Sequence, residues 1–279
     1  MRIQNLIENT KGCSGCDCAH GFSFYIETKS HKLLVDLGPS EVTLENAKKL
    51  DIDLKKVDTV ILSHGHYDHS GGIMPFTKIN NQATIYMQAL AEREYYADDG
   101  VEAGRKRYRY IGIDPEISKL DKLKKIGGNF KIDEELELFT IKERTHPLPF
   151  TNDRLLVKKA DGFVKDDFKH EQFLVIRDDN KSVLISGCAH NGILSIMDDY
   201  IYKYDSTPDY VISGFHLKKN SDYTEAEVKE IKEIANVLKT YNTKFYTCHC
   251  TGLPAFDMMK EIMGDQLEYV HSGDEVKLA

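Results

Sequence analysis

The apolar run Val57-Asp58-Thr59-Val60-Ile61-Leu62 leads without interruption into Ser63-His64-Gly65-His66-Tyr67-Asp68-His69-Ser70-Gly71-Gly72. The first part reads as a buried strand. The second packs three imidazoles and a carboxylate into six residues at its end, which is hard to explain as structure alone. Neutral imidazole suits Zn²⁺, Fe²⁺ and Mn²⁺, and an aspartate can bind a metal or orient a water beside it. His64 and His66 are two apart, so an extended backbone points both to one side, while Asp68 and His69 can face a second metal position once the chain turns. Gly71 and Gly72 relieve crowding where the loop meets the next helix. A polar loop with coincidental histidines is the weaker reading.

The rest of the chain says what surrounds this junction. Phe22 to Glu27 alternates as a strand, Lys32 to Gly38 is a second extended run, and Ser40 opens a short helical pattern through Leu44, Ala47 and Leu50. A strand at Ala83 to Met87 and a helix from about Gln88 to Ala97 are expected next, followed by a polar stretch from Asp98 to Ile113. Later strands (Gln172 to Ile176, Ser182 to Ser186, Asp209 to Ile212, Lys244 to Thr247) alternate with helices. The clearest helix is Thr224 to Lys239, where Thr224 and Glu227 predict a capping box. A sheet-on-sheet core with helices outside fits both halves. No repeat or linker divides the 279 residues, so one domain is expected, with a charged insertion around 98–125.

Composition narrows the function classes. No run of about 18 apolar residues occurs, and the start lacks the pattern of a signal peptide, so a soluble, cytoplasmic protein without membrane partners is expected. In a reducing compartment six Cys read as thiols or metal ligands rather than a disulfide set. The net charge of −8 argues against general nucleic-acid affinity but leaves room for a small anionic substrate.

The motif His64-x-His66-x-Asp68-His69 resembles the signature of the metallo-β-lactamase superfamily, and the likeness extends from Asp36-x-Gly38 to a terminal His on a late strand. It implies an α+β fold, a four-layer αββα sandwich, with one or two divalent metals at an edge and a metal-bound hydroxide as nucleophile. Zinc is the expected ion, with iron and manganese as alternatives. His20-Gly21-Phe22-Ser23, Gly187-Cys188-Ala189-His190, Gly214-Phe215-His216-Leu217 and Cys248-His249-Cys250-Thr251-Gly252 further resemble the branch labelled dihydropterin-ribofuranosyl-aminobenzene-phosphate synthase-like.

By placement at strand ends and by this resemblance, His64, His66 and His190 are expected to hold one metal, and Asp68, His69 and His249 a second. Cys188 stands where many superfamily members carry a bridging aspartate, and is a further candidate ligand or a small buried hydrophobe. His146 is a reserve ligand in a stiff Pro-flanked turn. Asp68 is assigned to take up the nucleophile's proton, and His216 to donate a proton to the leaving group or bind phosphate, with a structural role as the rival reading. His20 has the same two readings, the structural one favoured. His31, His170 and His271 read as ordinary residues, and Cys13-x-x-Cys16-x-Cys18 as thiols or a small metal clip.

One basic run interrupts the acidic chain. Arg105, Arg107 and Arg109, interleaved with Tyr108 and Tyr110, are the expected substrate-binding cations, as a lid or as a solvated face, with Lys218 and Lys219 adding to the same pocket. The expected activity is hydrolysis of an ester, phosphoester or related small anionic substrate. A carbon–carbon bond-forming synthase joining a dihydropterin to a phosphoribosyl-type partner is the alternative.

Overall fold

The structure, a computed structural model, describes residues 1–12 and 15–278. Among these, the first seven-stranded sheet places side by side Glu275–Val276, Arg2–Ile7, Ser23–Glu27, Lys32–Val35, Thr59–Leu62, Thr84–Gln88 and Leu123–Ile126. The second runs Leu267–Tyr269, Lys244–Thr247, Tyr210–Ser213, Lys181–Ser186, Phe173–Asp178, Leu136–Phe139 and Phe130–Lys131. Alternate residues of their central strands go to different cores. Phe24, Ile26, Leu33, Val35 and Ile61 meet Leu174, Ile176, Ile185 and Ile212 between the sheets. Leu34, Val60 and Leu62 face helices Val42–Lys49 and Ile73–Ile79 on one outer side. Val175, Leu184 and Val211 face helices Ile193–Tyr204, Glu225–Leu238 and Leu253–Met263 on the other. Strands covered on both faces must be apolar at successive positions, which is why Val60-Ile61-Leu62 shows no polar alternation. The result is the αββα sandwich that the motif's resemblance implied.

The Glu225–Leu238 helix begins at the expected capping box, with both reciprocal bonds between Thr224 and Glu227 formed. Residues 88–113 differ from expectation. Instead of a helix to Ala97, a single turn at Ala89–Glu92 gives way to strand Tyr95–Glu102, paired with Arg105–Tyr110. Ala103 and Gly104, both at positive φ, make the tight turn between them. This hairpin joins Leu155–Lys159 and Gly162–Lys165 in a four-stranded sheet. Tertiary packing overrode the local helical pattern, because Tyr95 and Ala97 gain a small core with Leu155, Val157 and Phe168 that an isolated helix would forgo. Of the charged segment 98–125, the hairpin thus takes the first part, and Leu123–Ile126 extends the first main sheet.

Candidate metal centre

Strands Lys32–Val35 and Thr59–Leu62 are parallel, as are Lys181–Ser186, Tyr210–Ser213 and Lys244–Thr247 in the other sheet. Parallel strands deliver their following loops to one edge, where open α/β sheets commonly bind ligands. Asp36, the 63–69 loop, Gly187–His190, Gly214–His216 and Cys248–Cys250 all leave such ends. Four of these residues, Asp36, Ala189, His216 and His249, have φ between 49° and 58°. A non-glycine residue pays roughly 1–2 kcal/mol for that conformation, so strain is concentrated at this edge, as it is at many functional sites. Gly65 separates His64 from His66 where a Cβ would lie 2.4 Å from the Ala91 carbonyl oxygen.

The hydrogen-bond network fixes which nitrogen is bare in the rings of His64, His69, His190 and His249. The Ser63 hydroxyl donates to Asp36 Oδ2 at 2.6 Å, so Ser63 Oγ accepts from His64 Nδ1 at 2.9 Å. His69 Nδ1 donates to the same Asp36 oxygen at 2.6 Å. Asn152 Nδ2 is committed to the His190 carbonyl, which turns Asn152 Oδ1 toward His190 Nδ1 at 2.9 Å. Asn9 repeats the device, giving Nδ2 to the His249 carbonyl and presenting Oδ1 to His249 Nδ1 at 3.0 Å. In each case the proton sits on Nδ1 and the Nε2 lone pair points inward. Among the described residues, His66 Nε2 and His249 Nε2 are buried with no hydrogen-bond partner. Inward lone pairs without donors are costly to bury, and a cation removes that cost, so the donor set fits a metal.

Spacing supports the same fit. Tetrahedral coordination at about 2.1 Å puts neighbouring ligand atoms roughly 3.4 Å apart. His64 and His190 Nε2 are 3.3 Å apart, Asp68 Oδ2 and His249 Nε2 3.4 Å, and Cys188 Sγ and His69 Nε2 3.2 Å. His64, His66 and His190 group as the first expected triad. The second triad is arranged differently from the expected one: His69 groups with His64 and Cys188, while Asp68 and His249 group with His20. Cys188 also lies with His249 and Cys250.

Burial pushes the His64 and His190 imidazoles well below their ordinary range, and those of His66 and His249 down to about 3. Such rings are neutral, as ligands must be. For His69, burial alone would lower the value, but the carboxylates of Asp36 and Asp68 outweigh it and raise it. Burial would raise Asp68, yet His69 and His249 hold its carboxyl well below the usual carboxylate range. Burial raises the Cys188 thiol, with Cys250 adding to the shift.

Other residues lie elsewhere than the sequence suggested. His146 pairs with Asp198 at 3.0 Å, away from the cluster. His170, read as ordinary, is buried beside His66; its Nδ1 accepts from the Gly65 amide at 2.9 Å and its Nε2 reaches Asp166 at 3.0 Å. Both nitrogens are occupied, so His170 braces the His64–His66 loop instead of offering a lone pair. Cys16 and Cys18 are free thiols, and Cys13 lies outside the described residues. Asn9, Asn152, Asp166 and Glu171 were not legible as site residues. The Glu171 carboxylate accepts the amides of His190 and Asn191 at 2.7 and 3.0 Å, pinning the turn that carries His190.

The centre opens into a cleft of about 830 Å³ lined by Arg109, Arg154, Lys218 and Lys219 among others. Arg109 Nε donates to Asp99 at 2.9 Å, and Lys219 is paired with Glu227. Arg105 and Arg107 do not line the cleft. Residues two apart on a strand are about 7 Å apart, so both sit toward the hairpin tip, where Arg107 pairs with exposed Glu102. Tyr108 stacks on Phe163 at 4.1 Å and is spent on the hairpin's own packing. His216 packs tilted against His190 with ring centroids 4.1 Å apart, and Thr151 Oγ1, which donates to the His216 carbonyl, meets His216 Nδ1 at 2.6 Å. That leaves Nε2 bare, and burial lowers the ring to about 4.

A sandwich with histidines and an aspartate converging at its strand ends defines an enzyme superfamily, and the family profile described as the Metallo-beta-lactamase superfamily matches residues 16–235. The chain belongs to the metallo-beta-lactamase superfamily. It is 29% identical over 275 residues to the uncharacterized protein MJ0448 of Methanocaldococcus jannaschii, covering 97% of this chain and 98% of that one. It is also 29% identical to the 7,8-dihydropterin-6-methyl-4-(beta-D-ribofuranosyl)-aminobenzene-5'-phosphate synthase of the same organism, covering 92% and 90%. Among solved structures, Tm1679, a metal-dependent hydrolase of the beta-lactamase superfamily, superposes with a TM-score of 0.81 at 29% identity, covering 100% and 99%. No helix among the described residues is long and apolar enough to cross a membrane.

Proposed function

We propose that this chain is a metal-dependent hydrolase of small anionic esters or phosphoesters, using one or two divalent cations, zinc in the first instance. The observation that carries the reading is the convergence of the bare His64 and His190 Nε2 atoms with the His66 ring beside Asp68, at the floor of a cleft with cations on its wall. His64, His66 and His190 would hold one ion; Asp68, His69 and His249 are the expected second set, with Cys188 as a further donor. Mixed imidazole, carboxylate and thiol donors at near-tetrahedral spacing favour zinc over harder ions. A cation bound there supplies Lewis acidity and makes water acidic enough to attack near neutral pH.

The chain's own groups do the rest. Asp68, ionised and facing the cluster, accepts the proton of the attacking water. His216, neutral with its Nδ1 proton committed to Thr151, is better placed to accept a proton or hydrogen bond at Nε2 than to donate one. Arg109 and Lys218 orient the substrate's anionic end from the cleft wall.

Replacing Asp68 with Asn preserves size and is expected to leave the fold intact while cutting turnover by orders of magnitude. Near-normal rates in the metal-loaded variant would sink the assignment. The likeness to the dihydropterin synthase over 92% of the chain supports a second reading, a carbon–carbon bond-forming synthase in which the same cations hold a phosphate. Incubating metal-loaded protein with ester and phosphoester panels, and separately with a dihydropterin and a phosphoribosyl-type partner, tells the two apart.

A further inference from the structure

We propose that His20 is a metal ligand, joining Asp68 and His249 at the second cation position; this rests on the metal-centre reading above and extends its donor set. His20 is an exposed residue in the segment that leads into strand Ser23–Glu27, and its place is set by backbone contacts. The Phe22 amide donates to the Asp68 carbonyl at 3.2 Å. A Cβ at Gly21 would lie 2.7 Å from that same oxygen and 2.5 Å from Pro39, so the segment can press against the 66–69 loop only with glycine there. His20 is thereby held beside Asp68, with its Nε2 3.2 Å from Asp68 Oδ2.

The decisive feature is the carboxamide of Asn9. Its Nδ2 donates to the His249 carbonyl, which fixes the amide's orientation. Its Oδ1 then faces two rings, His249 Nδ1 at 3.0 Å and His20 Nδ1 at 3.3 Å. An oxygen with two lone pairs can accept from both, so both rings carry their proton on Nδ1. Their two Nε2 lone pairs then converge on one carboxylate oxygen, at 3.2 and 3.4 Å. Three acceptors around one point, without a hydrogen among them, repel unless a cation lies between. The separations are those of ligands around an ion at about 2.1 Å, and among the described residues His249 Nε2 is buried without a hydrogen-bond partner. Outside the first triad, His20 thus groups with Asp68 and His249 among the described residues, whereas His69, whose Nε2 is 3.8 Å from Asp68 Oδ2, groups with Cys188 and His64.

The test is metal binding, not activity. Metal-free wild type and His20→Ala are titrated with Zn²⁺ against a competing chelator, and with Co²⁺ while the visible ligand-field bands are followed. His20 is exposed, so the variant should keep the wild-type melting temperature in the metal-free state. The expected result is that one equivalent weakens by more than the roughly tenfold that losing an outer hydrogen-bond partner costs. Its Co²⁺ bands should change, the other equivalent should be untouched, and added imidazole should restore the lost affinity through the opened cleft. A variant binding every equivalent with wild-type affinity and spectrum overturns the proposal while leaving the metal centre standing. Wild type taking up no cation overturns the centre as a whole, His20 included.

Discussion

The Asp36→Asn substitution probes the electrostatic logic of the site most sharply, because it changes acceptor pattern and little else. Asp36 is fully buried at φ 58°, a conformation Asn adopts as readily as Asp. Its carboxylate accepts the Ser63 amide at 2.7 Å, the Ser63 hydroxyl at 2.6 Å and His69 Nδ1 at 2.6 Å. With Asn, Oδ1 can keep the Ser63 amide, but Nδ2 then replaces the oxygen that faced the other two. His69 Nδ1 must become an acceptor, which moves its proton to Nε2. The Ser63 hydroxyl must accept as well, and its own hydrogen turns to His64 Nδ1, moving that ring's proton to Nε2. One atom exchange thus blocks two inward lone pairs. Loss of a single outer partner of a metal-binding histidine costs about 10- to 100-fold in affinity, or roughly 1.4–2.7 kcal/mol. Because His64 and His69 are both affected, the upper end is expected for zinc, measured by competition with a chromophoric chelator on metal-free protein. The apo fold should survive a loss of about 1.5–3 kcal/mol, the worth of a charged hydrogen bond, as followed by circular dichroism. Zinc affinities unchanged to within roughly twofold, about 0.4 kcal/mol, would refute the tautomer argument.

Two further outcomes are expected. Arg109→Ala should raise KM for an anionic substrate about tenfold with little change in kcat, the mark of lost uniform binding, while Arg107→Ala should change neither; equal effects in steady-state assays would remove Arg109 from the role of substrate anchor. His31 lies between Asp58 at 2.8 Å and Asp133 at 2.6 Å. Burial would lower its imidazole, but its hydrogen bonds to these carboxylates raise it overall. A raised folded value stabilises the fold in full below the ordinary imidazole value of about 6.5, and the benefit is lost as pH rises through the folded value. The stability gap between wild type and His31→Ala, read from urea melts, should therefore shrink from mildly acidic to alkaline pH; a gap that widens would contradict the assignment.

The layered fold was legible because it is written in local pattern. Val60-Ile61-Leu62 is apolar at successive positions only a strand covered on both faces requires, and Thr224 with Glu227 marks a helix start within four residues. The hairpin at 95–110 was not legible, since its strands are held by pairing with Leu155–Val157 across more than forty residues of chain. The same distinction divides the site. His64, His66, Asp68 and His69 lie within six residues and are chemically dense, so the sequence alone announced them, and strand ends together with the superfamily resemblance nominated His190 and His249.

What determines how those groups act is carried by residues with no such signature. Asn9 and Asn152 are ordinary amides until the fold places each against one histidine's Nδ1 and backbone carbonyl. His170 was as good a candidate by residue type as His190, and was separated from it by the Gly65 amide and Asp166, which occupy both its nitrogens. Arg105, Arg107 and Arg109 are equivalent in sequence, and distance along a strand chose among them. The sequence by itself determined a sheet-on-sheet core with helices outside and the chemical inventory of its edge, because burial period and residue type are local properties, while the αββα arrangement followed from the resemblance its motif carries. Only the tertiary structure decided which lone pairs face inward, because a ring's tautomer is set by whichever donor or acceptor the fold brings to its other nitrogen.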